Sequence, residues 1–346
     1  MGYLQMKGDP CIFTKRSGQL HSILVLHVDD VLFCGSSKEI NEAARKMLEQ
    51  RYGPLKWQDG DTIKYLGQRI VFDYQKKEMR IDQQQYIEKL AAKYPPTAIA
   101  KTPSSKDFFH LSLDAHAQTL PPTKFRSMVM SVSYVAQRTI PEILKEVGFL
   151  ATRQQQPTIA DYDKAQQVIN YVHYRKDRPL ILRPKSMKLT AYADAAYAIH
   201  VPDLKSHGGT VIMLGGAPVL NKSKKIQQRC TSSCHAETVQ LFLAKQITLS
   251  LHSLLKEMDF IIPVEDTPVI FQDNQSTIRL TEPGYHHPSS RSKNFAVQYL
   301  DIREAVERKE LTIVYLPTID MIADLHTKPL QGRLFKKFRD ILIGIS

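Results

Sequence analysis

The chain has 346 residues, 42% apolar and 24% charged, and its 47 basic and 35 acidic side chains give a formal charge of +12. This composition excludes a disordered or fibrous chain, and the length suggests two or three domains, each able to bury a core without disulfide or metal staples. Four scattered cysteines (Cys11, Cys34, Cys230, Cys234) fit a reducing compartment, and neither a secretory leader nor an apolar run of ~18 residues is present, so an intracellular, non-membrane protein is expected.

In chain order, residues 10–18 and 21–35 alternate as strands, followed by helical spacing from Ser37 to Gln50 with Ser36 or Ser37 as N-cap. A second strand pair covers 63–75 and 76–83. Helical spacing returns over Gln83–Pro95 and Thr123–Arg153, with a Pro/Ser/Asp-rich connection between them, and again over Thr158–Tyr174. A break rich in Arg and Pro (175–186) places a domain boundary near Leu180 to Met187. Beyond it come strands at 188–198, 208–216 and 218–227, then a long helix over 233–258. A strand at 267–274, a helical turn, a helix over Phe295–Lys309, a strand at 311–317 and a helix over Ile319–Thr327 complete the pattern. The expected class is α/β (α+β mixed), because a β-meander followed by crossovers gives a mixed sheet covered by helices. Residues 332–346 form an amphipathic basic stretch, expected to pack on the protein rather than on a membrane.

Four acids in the second half attract chemistry. Asp194 lies in a strand, Glu237 in the first turns of the long helix, Asp273 at a strand end and Asp324 in the last helix. Asp194 and Asp273 have apolar neighbours, a costly setting for a lone charge unless a cation or donor offsets the desolvation. Converging carboxylates suit hard divalent cations, and a pair of Mg2+ ions can serve both the attacking and the leaving oxygen of a phosphodiester displacement. Singly, each acid reads equally as a turn residue or helix cap; the ordered set of four is the informative feature. The basic excess points to a polyanionic partner. In the first half, Asp29 and Asp30 form an acidic pair between apolar flanks, which a hairpin turn also explains. Cys230, Cys234 and His235 lack a fourth zinc ligand at a usual spacing.

The stretches AYADAAYA, HGGTVIMLGGAPVLNKSKKIQ, SSCHAETVQL, VIFQDNQSTIRL and VYLPTIDMIADLHTKPL resemble the ribonuclease H domain of copia-type LTR retrotransposon Pol polyproteins. Upstream, GDPCIF, LHVDDVLFCGS, KYLGQRI, QQQYIEKL and FRSMVMSVSYVAQRTIPEI resemble the same family's reverse transcriptase, from palm through thumb to tether. The resemblance implies a partial palm over 1–80, a helical thumb and tether over 81–186, a ribonuclease H-like five-stranded mixed sheet with flanking helices over 187–330, and a basic tail over 331–346. It implies hydrolysis of the RNA strand of an RNA/DNA hybrid by two Mg2+ ions, with Mn2+ as substitute, held by Asp194, Glu237, Asp273 and Asp324. Asp29 and Asp30 match the paired metal-binding aspartates of the polymerase, and Tyr65 and Gly67 the strand supporting the primer end. Lys222, Lys224, Lys225 and Arg229 are candidates for tracking phosphates, or equally a solvated strand edge. The family's expected settings are cytoplasm, nucleus or virus-like particles, with the rest of the reverse transcriptase or other retrotransposon proteins as partners.

The chain departs from the family in three places. The polymerase's third metal-binding aspartate has no counterpart, since only Asp9 precedes Asp29, so the polymerase is expected to be truncated and inactive alone. His27 replaces the aromatic residue before the VDD. Ser289 and Asn294 stand where the nuclease usually carries histidines, with His286 and His287 close by as substitutes. The alternative to an enzyme is a non-catalytic remnant that only binds nucleic acid. A DDE integrase is disfavoured by the order of the acids.

Overall fold

The structure, a computed structural model, describes residues 2–111, 121–201, 203–258, 267–285 and 295–345. The chain opens with β1 (Leu4–Gln5), β2 (Ile12–Ser17), β3 (Leu20–His27) and β4 (Asp30–Gly35), an antiparallel sheet in sequential order. Across it lies α1 (Lys38–Tyr52), whose N-cap Ser37 accepts the Ile40 N–H and which buries Ile40 and Ala44. Strands β5 (Thr62–Tyr65), β6 (Gln68–Asp73) and β7 (Glu78–Asp82) start a second sheet. Then α2 (Gln84–Lys93), α3 (Pro122–Ala136), α4 (Leu144–Ala151) and α5 (Ile159–Tyr174) pack together.

The helix expected over Thr123–Arg153 is two helices. Pro141 forces the break, because it disfavours helical backbone at the residue before it, and Ile140 accordingly has ψ 61°. By contrast α5 starts where the sequence placed it, on a reciprocal capping box between Thr158 and Asp161. After it, β8 (Leu180–Leu182), from within the Arg/Pro-rich break, pairs with β7 and completes the second sheet. That sheet therefore joins residues on both sides of the boundary drawn at 80.

The remaining chain forms β9 (Leu189–His200), β10 (Lys205–Leu214), β11 (Ala217–Lys225), α6 (Ser233–Glu257), β12 (Val269–Gln272), α7 (Gln275–Thr281), α8 (Ala296–Glu307) and β13 (Thr312–Tyr315). The sheet order is β11-β10-β9-β12-β13, with antiparallel pairing up to β9 and parallel pairing from β9 through β12 to β13. A mixed five-stranded sheet with flanking helices is what the resemblance led one to expect here. Short 3-10 turns at Thr318–Asp320 and Ile322–His326 and then α9 (Gly332–Leu342) follow.

Both faces of the sheet are covered, and alternation along the strands decides what goes where. Leu189, Ala191, Ala193 and Ile212 join Leu241, Ala244 and Ile302 in a core beneath α6 and α8. On the other face Val211 and Met213 join one continuous core with Phe125, Phe149, Ile169, Phe335 and Phe338 from the helices. Each of the larger side chains, the Leu, Ile, Val, Met and Phe, contributes roughly 1.5–3 kcal/mol by leaving water. Charges drawn into this interior are paired: Arg175 Nε with Glu142 at 3.0 Å, and Lys145 Nζ with Glu146 at 2.9 Å. No helix of the described residues is long and apolar enough to cross a membrane.

The first sheet is outside both large cores. It exposes Leu4, Leu20, Leu26, Val28 and Val31, and with α1 it buries few apolar side chains, Met6, Ile40 and Ala44 among them. Local opening free energy follows buried contacts. Limited proteolysis is therefore expected to cut first within residues 2–60 and to leave a resistant body containing 187–330. A resistant product lacking 187–330 would refute this order.

Candidate metal centre

β9 and β12 pair in parallel from Thr190↔Val269 to Tyr192↔Phe271 and then part. Side chains return to the same face every second residue, and neighbouring strands lie ~4.8 Å apart. Two residues past the last pair, Asp194 and Asp273 thus arrive side by side. The third acid descends from above, because β10 presents Gly209 opposite Asp194. A Cβ on Gly209 would stand 2.8 Å from His326 Cβ and 2.9 Å from the Ala323 carbonyl oxygen, so bare backbone lets the 322–326 turn and Asp324 settle on the sheet. Gly208 makes the same concession on the other face, where a Cβ would stand 1.8 Å from Gln240 Oε1.

Asp194, Asp273 and Asp324 each offer a carboxylate oxygen, and these lie within 4.8 Å of one another. Asp194 and Asp324 are buried and Asp273 half-buried. The turn bearing Asp324 is 3-10 rather than the α-helix expected over Ile319–Thr327. Pro317 and Pro329 bracket the segment, and it closes with short-range bonds such as Asp324 N–H to Met321 O (3.0 Å) and Thr327 N–H to Asp324 O (3.1 Å).

Glu237 stands outside this trio of close oxygens but borders it. It is 6% exposed near the start of α6, accepts the Ala195 N–H and receives Gln272 Nε2 at 3.4 Å. Burial, then the charges of Asp194 and Asp273, push its carboxyl well above the usual range. Burial and Asp194 likewise raise Asp324 to about 7. Four carboxyl groups crowded out of water repel one another, and one ammonium, that of Lys328, enters the cluster, at 2.7 Å from Asp324 Oδ1 and 3.3 Å from Asp194 Oδ1.

Several positioning contacts went unread in the sequence. Gln272, fully buried, accepts the N–H groups of Asp273 (2.8 Å) and Asn274 (2.9 Å) on Oε1 while Nε2 faces Ala193 O and Glu237, so one amide sets the strand end. The hydroxyl of Thr327 donates to Asp194 Oδ2, and that of Thr318 to Asp273 Oδ2 at 2.7 Å. Lys328 and Thr327 belong to the LHTKPL stretch, and the spacing of four from Asp324 to Lys328 was the available signal. Lys145, buried on α4, donates to the Lys328 carbonyl at 2.8 Å and pairs with Glu146, which accepts from Ser104 at 2.6 Å.

Other residues singled out in the sequence lie elsewhere. Asp29 and Asp30 are exposed at the β3–β4 turn, where Val28 takes a φ of 54°. Tyr65 and Gly67 flank Leu66 in the two-residue β5–β6 hairpin turn. A Cβ on Gly67 would meet Tyr134 Oη at 2.3 Å, the hydroxyl that donates to Leu66 O, so this glycine has a packing role. Lys222 and Lys224 are exposed on β11 and alternate with Ser223, which shares a row with Gly209 and Asp194, so they point to the sheet face opposite Asp194, the face that α6 covers. Lys225 is committed to Asp203 at 2.7 Å, and Arg229 is exposed in the loop before α6. His286, His287, Ser289 and Asn294 lie outside the described residues.

The raised carboxyl of Asp324 predicts a pH-dependent cost in the metal-free protein. Its folded value of about 7 exceeds the 3.8 of a free carboxyl, so the folded state holds the proton more tightly, and stability contributed by this group falls as pH rises from 3.8 to about 7. In chelator, Asp324→Asn should therefore melt higher than wild type at pH 8 and gain progressively less toward pH 4. Paired melting curves across that range check this, and a gain independent of pH would contradict it.

No protein-family model matches the chain. It is similar to the retrovirus-related Pol polyproteins from transposons RE2 and RE1 of Arabidopsis thaliana, 27% identical over 98% of this chain and 28% over 100%, in each case across 23% of the polyprotein. The polyprotein from transposon TNT 1-94 of Nicotiana tabacum is 24% identical over 98% of the chain and 26% of its own length. The chain thus spans about a quarter of these relatives. Among solved structures, LC11-RNase H1 in complex with an RNA/DNA hybrid has 15% identity and a TM-score of 0.28, covering 39% of this chain and 88% of that one. RNase H1 of Halobacterium salinarum has 15% identity and a TM-score of 0.28 over 39% and 90%. Over nearly its whole length the chain is thus similar to Pol polyproteins of copia-type retrotransposons.

Proposed function

We propose that this chain hydrolyses the RNA strand of RNA/DNA hybrids with divalent cations held by Asp194, Asp273, Asp324 and Glu237. The observation that carries the reading is the meeting of three carboxylates within 4.8 Å at strand ends, with Glu237 beside them. The donors fit the ion: all are hard oxygens, and burial together with the neighbouring Asp charges raises the proton affinity of Glu237 and Asp324, the imbalance a small divalent cation relieves. Three carboxylate oxygens within 4.8 Å of one another are gathered closely enough to serve as a shared set of hard-cation ligands. When bound, such ions supply Lewis-acid stabilisation and an activated water.

The chain's own residues do the placing. Parallel register aligns Asp194 with Asp273, the hydroxyls of Thr327 and Thr318 orient their carboxylates, and Gln272 fixes the turn that carries Asp273. Hybrid as substrate follows from the sequence resemblance to the ribonuclease H domain of copia-type Pol polyproteins, and selection would rest on groove shape and 2′-hydroxyl contacts. Lys222, Lys224 and Arg229 could meet phosphates only around the β11 edge, and Lys225 is occupied by Asp203. Among the described residues the group of acids placed to share a cation is Asp194, Asp273 and Asp324, apart from Asp29 and Asp30.

With Mg2+ and a labelled hybrid, the wild type is expected to cleave the RNA strand and Asp273→Asn to lose more than the roughly 10- to 100-fold that follows loss of an outer contact. Equal signals would leave only a basic nucleic-acid-binding scaffold. Gln272→Leu should fall in that 10- to 100-fold range, because Asp273 keeps its carboxylate but loses its placement; unaltered cleavage in a folded Gln272→Leu protein would refute its positioning role.

A further inference from the structure

Resting on the metal-binding reading above, we propose that Lys328 is a resident counter-ion of the carboxylate site, which a divalent cation must displace, so that metal binding is a cation exchange. The ammonium contacts Asp194 and Asp324, two of the three residues whose oxygens converge. Its backbone is fixed from both sides: the Lys328 N–H donates to Asp324 O at 2.8 Å, and its carbonyl accepts from the buried Lys145. Its side chain is not so fixed. It is 37% exposed, while the Asp194 and Asp324 side chains are 1% and 3% exposed, so the stem lies at the mouth of the site and leads to solvent. A lysine is a compact point charge on a flexible four-carbon chain, able to leave without moving the backbone. While present, it offsets repulsion that would otherwise spread the carboxylates; once displaced, it returns to water and its contribution is exchanged for that of the ion.

The test titrates Mn2+ into the chelator-stripped full chain, following free ion by electron paramagnetic resonance. Lys328→Met is expected to bind Mn2+ roughly tenfold or more tightly than wild type, because a unit charge a few ångströms from the ion no longer opposes it. Lys328→Arg should stay near wild type. In chelator Lys328→Met should melt lower than wild type, and saturating Mn2+ should close that gap, whereas a purely structural ion pair would leave the gap open. Equal or weaker Mn2+ binding by Lys328→Met overturns the proposal. Should that variant fail to fold in chelator, refolding with Mn2+ decides: recovery supports the exchange and persistent failure refutes it. Asp273→Asn separates the two levels. If it loses Mn2+ while Lys328→Met matches wild type, the metal site stands and the exchange falls; if neither wild type nor Lys328→Met binds, both fall.

Discussion

Two parallel strands that stop pairing after Tyr192 and Phe271 set the condition on which the rest depends. At that point the sheet opens, and the level reached by the next inward-facing residues, Asp194 and Asp273, follows from strand register alone. Ligand sites of open α/β sheets commonly lie where neighbouring strands send their connections to opposite sides, and β9 and β12 are such a pair. Everything added to this opening is local: the bare backbone of Gly209, the 3-10 turn bearing Asp324, the amide of Gln272 and the N-terminal turns of α6 with Glu237.

The helices upstream take part in this arrangement. Lys145 reaches the carbonyl of Lys328, Glu146 balances that charge and bonds Ser104, and Gln331 donates back to Ser104 O at 2.6 Å. A buried ion pair is weak evidence for stability, but removing one partner leaves an uncompensated charge and is strongly destabilising. The Lys145–Glu146 pair thus ties the position of the Asp324–Lys328 turn to the packing of α4.

Much of this was legible in the residues. Apolar alternation exposed β9 to β11, helical spacing after Pro157 marked α5, and the order Asp, Glu, Asp, Asp picked out the acids that border one opening. What escaped is of a different kind. Periodicity cannot distinguish a 3-10 turn from an α-helix over five residues, and so Ile322–His326 read as helix. The intention of Gly208 and Gly209 depends on which elements approach them, a tertiary fact. Lys328 looked like one basic residue among 47 until its neighbours were in place. The basic run on β11 attracted notice by density, yet alternation sends Lys222 and Lys224 to the face opposite Asp194 and Asp203 claims Lys225.

The shared core of sheet and helices has one more consequence. Val211 and Met213 on the underside of β10 pack with Phe125, Phe149 and Phe338, and β8 stitches the Arg/Pro-rich break into a sheet with β7. A chain severed near residue 186 would leave the five-stranded half with an oily, unroofed surface and the aspartate turn without its floor. The helices are better regarded as the second wall of the five-stranded half than as a spacer leading up to it.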